Sequence, residues 1–145
     1  MLPTLTLGGP TSFAPLIRKA ISIVQASQNR YHILLIIADG QLSEEGYQPT
    51  VDAIVEASNY PLSIVMVGVG DGPWDDMEEF DDELRERRFD NFQFVDYDSV
   101  MRRNDGDPLA FACAAMQEIP EQYQAMAELG LFEVKPAVSR GRRGR

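Results

Sequence analysis

The sequence predicts an α/β protein whose mostly parallel sheet is covered by helices on both faces. Two mostly apolar runs, Tyr31 to Ala38 and Leu62 to Val69, are rich in β-branched residues, which is typical of strands buried in a parallel sheet. A third strand is predicted from Phe92 to Asp96, and helical patterns separate the strands. Such sheets usually have about five or six strands. We therefore expect an incomplete sheet whose missing strands are N-terminal, with Met1 to Gly9 as a weak further strand.

The first helix is predicted directly after Thr11 and Ser12. Their hydroxyl groups are suitable N-caps, and Pro15 falls in the first turn, where the missing N–H of proline has no cost. Apolar residues then recur at helical spacing, which predicts one buried face and a helix that runs to about Gln28.

Two more helices are expected around the second strand. Residues 41–48 are polar and predict a loop, so the second helix should open at Pro49 and end before Asn59 to Pro61. A short acidic helix is predicted from Asp75 to Leu84.

The last predicted helix is long and begins at the cap Asp107 and Pro108. Pro120 should kink or restart it, because proline removes an intrahelical hydrogen bond. Gly130 is a suitable C-terminal cap. We assign residues 1–132 to one partial domain and expect residues 133–145 to form a disordered basic tail.

Composition limits the classes of partner. The chain has 145 residues, of which 44% are hydrophobic, enough for one ordinary core. Its formal net charge is -10, and acidic residues crowd residues 71–86. Because acidic surfaces repel phosphate groups, nucleic acid and membranes are not expected to bind the folded body. The exception is the tail, which carries the arginines Arg140, Arg142, Arg143 and Arg145.

Cysteine usage and the N-terminus predict a location in the cytoplasm or nucleus. Cys113 is the only cysteine, which excludes a disulfide framework and a zinc site with several cysteines in this chain. Its small apolar neighbours predict a buried, unreactive thiol. The N-terminus lacks the pattern of a signal peptide, and the apolar run at residues 33–38 is too short to cross a bilayer, which takes about 20 residues.

One carboxylate and one hydroxyl are candidate metal ligands. Asp39 directly follows a predicted strand, and ligands of open α/β sheets bind at the carboxyl ends of strands. Thr11 lies on the loop that opens the first helix. Since Mg²⁺ takes about six oxygen ligands, two protein oxygens would give a weak site. The alternative is that Asp39 opens a turn with Gly40 and Thr11 only caps a helix.

The segment after the second long strand offers a candidate partner surface. The run of glycines from Gly68 to Gly72 lacks the spacing of a phosphate-binding loop and leads into acidic residues, so a tight turn is favoured. Trp74 either anchors a partner or folds back to cover the core. His32, without a second histidine or a nucleophile nearby, is interpreted as a packing residue. The candidate partner-binding residues are Gly40, Gly70, Asp71, Gly72 and Trp74.

Several long motifs resemble the copine-type von Willebrand factor A domain, and most closely the plant RING-domain ubiquitin ligases that carry it. The resemblance spans roughly residues 7–132 and implies a Rossmann-like fold with a metal-ion-dependent adhesion site. In that site an Asp-x-Ser-x-Ser loop, a threonine and a second aspartate hold Mg²⁺. Thr11 and Asp39 match the last two, whereas the loop and the zinc-binding RING are absent. The motifs are Gly9 to Pro15, Tyr31 to Gln41, Thr50 to Ser58, Pro61 to Trp74 and Phe89 to Val95.

The resemblance implies a protein-interaction module with an incomplete metal site, formed by the C-terminal half of the domain. Mg²⁺ is expected to bind weakly and zinc is not expected. Ubiquitin transfer would belong to full-length relatives, and no catalytic residue is assigned in this chain. Two alternatives stay open, a nucleotide-binding α/β enzyme and a gene fragment without independent function.

Overall fold

Three parallel strands form the sheet, as predicted. The computed structural model describes residues 11–40, 42–82 and 84–132. The strands are β1 (His32–Ala38), β2 (Leu62–Gly68) and β3 (Phe92–Asp96). They lie in the order β1-β2-β3, and His32 pairs with Leu62 while Gly68 pairs with both Ala38 and Asp96. The three strands therefore end at the same edge of the sheet.

Six helices in the described ranges accompany these strands, and the predicted α/β class is confirmed. The possible strand at residues 1–9 and the predicted tail at residues 133–145 lie outside the described residues. The bounds are α1 (Ala14–Ala26), α2 (Glu44–Ala57), α3 (Asp75–Asp82), α4 (Tyr97–Arg103), α5 (Pro108–Ala115) and α6 (Ile119–Glu128).

The main core lies between one face of the sheet and the helices α1, α2 and α3. Helical spacing places Ile17, Ile21 and Val24 on one side of α1, where all three are buried. The Phe80 ring of α3 packs edge-on against Phe92 of β3, with ring centroids 5.8 Å apart. Burial of this apolar surface is the dominant stabilising contribution.

The opposite face of the sheet is covered by α5 near β2 and β3. The buried Gln93 side chain connects this layer to the sheet: its Nε2 donates to the Ala114 carbonyl oxygen at 2.6 Å, and Glu118 N donates to its Oε1 at 3.4 Å. Both groups lie where α5 ends and α6 begins. The restart predicted around Pro120 is thus confirmed, with α6 starting at Ile119.

Helix α2 begins earlier than predicted. The prediction of a loop over residues 41–48 is wrong, because Glu44 to Gln48 belong to the helix and Pro49 lies inside it. Ser43 caps the helix, its Oγ accepting from Gly46 N at 3.1 Å, and two acidic residues occupy the first turn. The cap satisfies a free backbone N–H, and the acidic residues complement the positive N-terminal end of the helix. Together they outweigh the tendency of Pro49 to begin a helix.

Helix α4 was not predicted. Asp96 ends β3 and caps the helix, since its Oδ1 accepts from Ser99 N at 3.1 Å. Arg102 and Arg103 occupy the last turn, where positive charge is favourable. The short length of seven residues and a weak apolar pattern concealed it.

The prediction of a buried Cys113 is wrong, because its side chain is exposed. Every residue of α5 is apolar, so residues on its buried and exposed sides have the same character. The small apolar neighbours of Cys113 therefore do not indicate whether its side chain is buried. Leu109 of the same helix is also exposed.

On the face of the sheet that carries α5, the helix does not cover β1. Ile33, Leu35 and Ile37 alternate along the strand and are 42%, 57% and 65% exposed. We call these three side chains the open face. Within the described residues, no strand pairs with the outer edge of β1.

Candidate functional site

The loops that follow β1 and β2 meet at the carboxyl edge of the sheet. Val69 N donates to the Ala38 carbonyl oxygen at 2.9 Å, so the residues after the two strands are neighbours. We call Asp39 and Gly40, residues 70–72 and Thr11 the rim. Asp39, Asp71 and Thr11 are exposed. Parallel α/β sheets bind their ligands at this edge.

Thr11 is attached to the start of α2 through its backbone. Its carbonyl oxygen accepts from Ser43 N at 3.2 Å and from Ser43 Oγ at 3.4 Å. Gly46 allows this approach, because a Cβ at that position would overlap the Thr11 carbonyl oxygen. The cap of α2 therefore also fixes one end of the rim.

The buried hydroxyl of Thr50 holds the same loop from below. Thr50 Oγ1 accepts from Phe13 N at 3.1 Å and donates to the Gly46 carbonyl oxygen at 2.8 Å. Ser12 Oγ lies 3.3 Å from it. The sequence analysis missed this residue, although a hydroxyl among apolar residues on a buried helix stripe was the available signal.

The glycines of the second loop have conformations that side chains rarely adopt. The φ angles of Gly70 and Gly72 are 96° and 73°, in the left-handed region that glycine enters without strain. Gly70 N donates to Asp98 Oδ2 at 3.0 Å, which connects the loop to α4. Asp98 was also missed, because α4 itself was not predicted. The tight turn favoured over a phosphate loop agrees with this geometry.

Trp74 covers the core rather than projecting from the rim. Its side chain is 9% exposed, and its ring centroid lies 5.5 Å from that of Phe94. A Cβ on Gly68 would come within 2.9 Å of both rings, so glycine there makes room for the indole. Of the two interpretations of Trp74, the structure supports the one in which the ring packs on the core. The indole also lies directly under Gly72.

The metal ligands expected from the sequence do not form a dense oxygen cluster. Across the described ranges, no group of three or more histidine, cysteine, aspartate or glutamate side chains is arranged to hold an ion. Thr11 and Asp39 supply one hydroxyl and one carboxylate on exposed residues. This donor set fits Mg²⁺ poorly, because the ion favours about six oxygens in near-octahedral geometry.

A second acidic region surrounds α3 and α6, away from the rim. Burial, followed by the charge of Glu118, raises the pKa of Asp81 to about 7. Burial also raises the pKa values of Asp90 and Glu118. Arg87 lies among these groups, and its Nη1 is 2.7 Å from Asp90 Oδ1. The region costs stability when all carboxyl groups are ionised.

His32 makes a local contact at the other end of β1. Its Nδ1 lies 2.7 Å from the Arg30 carbonyl oxygen, two residues back along the chain.

The parallel sheet with helices on both faces defines a Rossmann-like α/β domain, and the family match that follows makes it one of the von Willebrand factor A type. The copine family profile matches residues 1–135, and the chain belongs to the copine family. The resemblance inferred from the sequence is thereby confirmed.

Curated relatives come from plants and animals. The chain is 54% identical to E3 ubiquitin-protein ligase RGLG5 of Arabidopsis thaliana, over 91% of this chain and 34% of that protein. It is 54% identical to RGLG2 of the same plant, over 91% of this chain and 31% of that protein. Copine family protein 2 of Caenorhabditis elegans is 51% identical, over 90% of this chain and 2% of that protein. The chain thus spans about a third of the length of the plant ligases.

In the described part of the chain, no helix is long and apolar enough to cross a bilayer.

Proposed function

We propose that the chain acts as a protein-interaction module of the copine type, linked to protein ubiquitination, and that its rim contacts the partner. Support comes from the family membership and from the similarity to plant E3 ubiquitin ligases. The observation that carries the proposal is the rim itself, because the exposed carboxylates of Asp39 and Asp71 lie at the carboxyl edge of the sheet, on loops that hydrogen bonds join to each other and to α4.

The rim favours a partner with a basic surface. Asp39 and Asp71 are exposed and contribute negative charge at the same edge. Trp74 takes part by supporting the Gly72 turn from below. Complementary charge increases the rate of association and disfavours acidic partners. The family membership supports this function over a nucleotide-binding enzyme.

Rim binding can be tested by comparing variants of equal charge change. Partners captured by the full chain should be lost or weakened about tenfold in Asp39→Ala/Asp71→Ala, consistent with removal of two interface charges. Asp52→Ala/Glu128→Ala removes two exposed helix carboxylates and should bind normally. If deletion of residues 140–145 abolishes binding while the rim variant binds normally, the tail holds the partner and the rim proposal fails.

Mg²⁺ is proposed to bind weakly and to contribute little to stability. Ligand stabilisation grows with the ratio of ligand concentration to Kd, so millimolar Mg²⁺ should shift the melting temperature only slightly. Calorimetry that shows tight binding, lost in Asp39→Ala, would contradict this and would mean that further oxygens complete the site.

A further inference from the structure

The start of α6 and the loop that leads into β3 border a small cavity with an acidic lining. It lies near the amino-terminal end of β3, whereas the rim lies at the carboxyl ends of the strands. Its volume is about 340 Å³, close to that of the smallest ligand pockets, so it has room for a single side chain. Three of its described lining residues are acidic and none is basic. The lining consists of Asp90, Gln117, Glu118, Glu121, Gln122 and Ala125.

The three carboxyl groups leave an excess of negative charge around the cavity. Burial, followed by the charge of Asp90, raises the pKa of Glu118, and the charge of Glu121 adds to the effect. Arg87 lies nearby, but its nitrogens already donate to three carbonyl oxygens and contact Asp90. The positive N-terminal end of α6 supplies only about half an elementary charge. A cation in the cavity would relieve the repulsion that remains.

The buried amide of Gln122 requires a hydrogen-bond donor at the same place. Gln122 is only 3% exposed, and it lines the cavity. Its Nε2 donates to Glu118 Oε2 at 3.4 Å, but within the described part of the chain its Oε1 accepts no hydrogen bond. Nearly all buried polar atoms in proteins have a partner, and an unsatisfied one is costly. A ligand that suits this cavity therefore brings N–H groups as well as positive charge.

We propose that this cavity binds the guanidinium group of an arginine side chain. The guanidinium group is planar, carries five N–H donors and is weakly hydrated, so it can pair with Glu118 or Glu121 and also donate to Gln122 Oε1. A lysine ammonium is a compact, strongly hydrated charge and suits a half-buried site less well. The arginine can come from the tail of this chain or from a separate protein, and the experiments below distinguish the two sources.

Titration of the full chain with Nα-acetylarginine amide tests the site without a partner protein, so the result is independent of the rim proposal. In heteronuclear NMR spectra, the side-chain amide signals of Gln117 and Gln122 should shift and then saturate. Nα-acetyllysine amide should bind at least about threefold more weakly, because its single nitrogen cannot reach several acceptors at once. Equal affinities for the two compounds would overturn the assignment to arginine.

A variant in which glutamine replaces the four tail arginines distinguishes the sources of the ligand. If a separate protein supplies the arginine, this variant and the unaltered chain should bind Nα-acetylarginine amide equally. If the tail supplies it, the variant should bind the compound more tightly, and the Gln122 signals of the two proteins should differ before any compound is added. Either result supports the site. Absence of binding to both proteins overturns the proposal.

A matched pair of charge variants tests whether the carboxylates of the cavity hold the compound. Glu118→Gln/Glu121→Gln should raise the Kd of Nα-acetylarginine amide about tenfold, because charge-assisted hydrogen bonds are lost. Glu44→Gln/Glu45→Gln removes the same charge from exposed residues in the first turn of α2 and should leave the Kd unchanged. Equal weakening in the two variants would mean that the compound follows the net charge of the chain, and would overturn the proposal.

Gln122→Met tests the buried acceptor separately from folding. Methionine has a similar length but no oxygen, so the melting temperature should stay the same or rise, while the Kd of Nα-acetylarginine amide should increase about three- to tenfold. The shift of the Gln117 side-chain signals measures this Kd. An unchanged Kd would exclude the Gln122 oxygen from the site. A clear fall in melting temperature would show that this oxygen already has a donor in the free chain, and either result overturns the proposal.

Discussion

At the scale of single residues, Thr50 connects the rim to the core. Its buried hydroxyl is the only side-chain group that accepts from Phe13 N in the described chain, and it also donates to the Gly46 carbonyl oxygen. A buried backbone N–H without an acceptor is costly. The conformation of the Thr11 loop therefore depends on one oxygen of a neighbouring helix.

Thr50→Val should lower the free energy of unfolding by about 1–3 kcal/mol, because the shape is kept while a buried donor loses its acceptor. Thr50→Ser keeps the hydroxyl and should lose less. Chemical denaturation measures both. Equal losses in the two variants would show that the methyl group, and not the hydroxyl, stabilises the loop.

At the scale of elements, the end of β2 is shaped by the indole that lies across it. Gly68 is the last residue of the strand, and the rings of Trp74 and Phe94 occupy the space above it. This close packing ties the loop after β2 to β3. It also explains why a tryptophan in a loop is buried.

Gly68→Ala should lower the free energy of unfolding by about 1–3 kcal/mol, because overpacking forces a ring out of its position. Trp74 is the only tryptophan, so its fluorescence should shift to longer wavelength as it gains contact with water. Gly40→Ala is the matched control, since a Cβ there meets no atom within 4 Å. Unchanged fluorescence in Gly68→Ala would mean that Phe94 moves instead.

The elements that the sequence predicted well are those with a long apolar pattern. The strand Phe92–Asp96 was predicted with its observed bounds, and the ends of β1 and β2 were within one residue. Helix starts that depend on a capping residue were harder to predict. Ser43 caps α2 although Pro49 indicated a later start, and Asp96 caps α4, which has no apolar residues at helical spacing to indicate it. Helix starts of this kind depend on a few hydrogen bonds that compete with other signals.

The candidate site was predictable where residues directly follow strands. Asp39 and the glycine loop lie at one edge because parallel strands carry them there. Thr50 and Asp98 act from other elements, so their role depends on tertiary contacts that spacing along the chain does not reveal. The burial of Trp74 depends in the same way on the space above Gly68.

At the scale of the whole molecule, the burial of carboxyl groups links stability to pH. The formal net charge is -10, and burial raises the pKa values of Asp81, Asp90 and Glu118. A carboxyl group whose pKa is higher in the folded chain binds its proton more tightly there. Between about 3.8, the ordinary value of Asp81, and about 7, the folded chain therefore holds more protons than the unfolded chain.

The free energy of unfolding should consequently fall as the pH rises through this window and level off above pH 7. Asp81→Asn should raise it at pH 8 by roughly 1 kcal/mol, because partial exposure screens the removed charge, and should raise it less at pH 5, where only the lower part of the window has been crossed. Glu128→Gln removes an exposed carboxylate and serves as the control. Thermal melts at the two pH values measure the difference. A uniform gain at both would show that ionisation of Asp81 is not the cause.

The Arg87 side chain holds the turn after α3 through hydrogen bonds, and these bonds restrict which residue can occupy position 87. It is 5% exposed, and its nitrogens donate to the carbonyl oxygens of Leu84, Phe80 and Asp81 at 2.9–3.0 Å. Three acceptors in different directions require a planar group with several nitrogens, whereas lysine offers one nitrogen at the end of a flexible stem. Natural variation at this position should therefore be confined to arginine, even though lysine has the same charge.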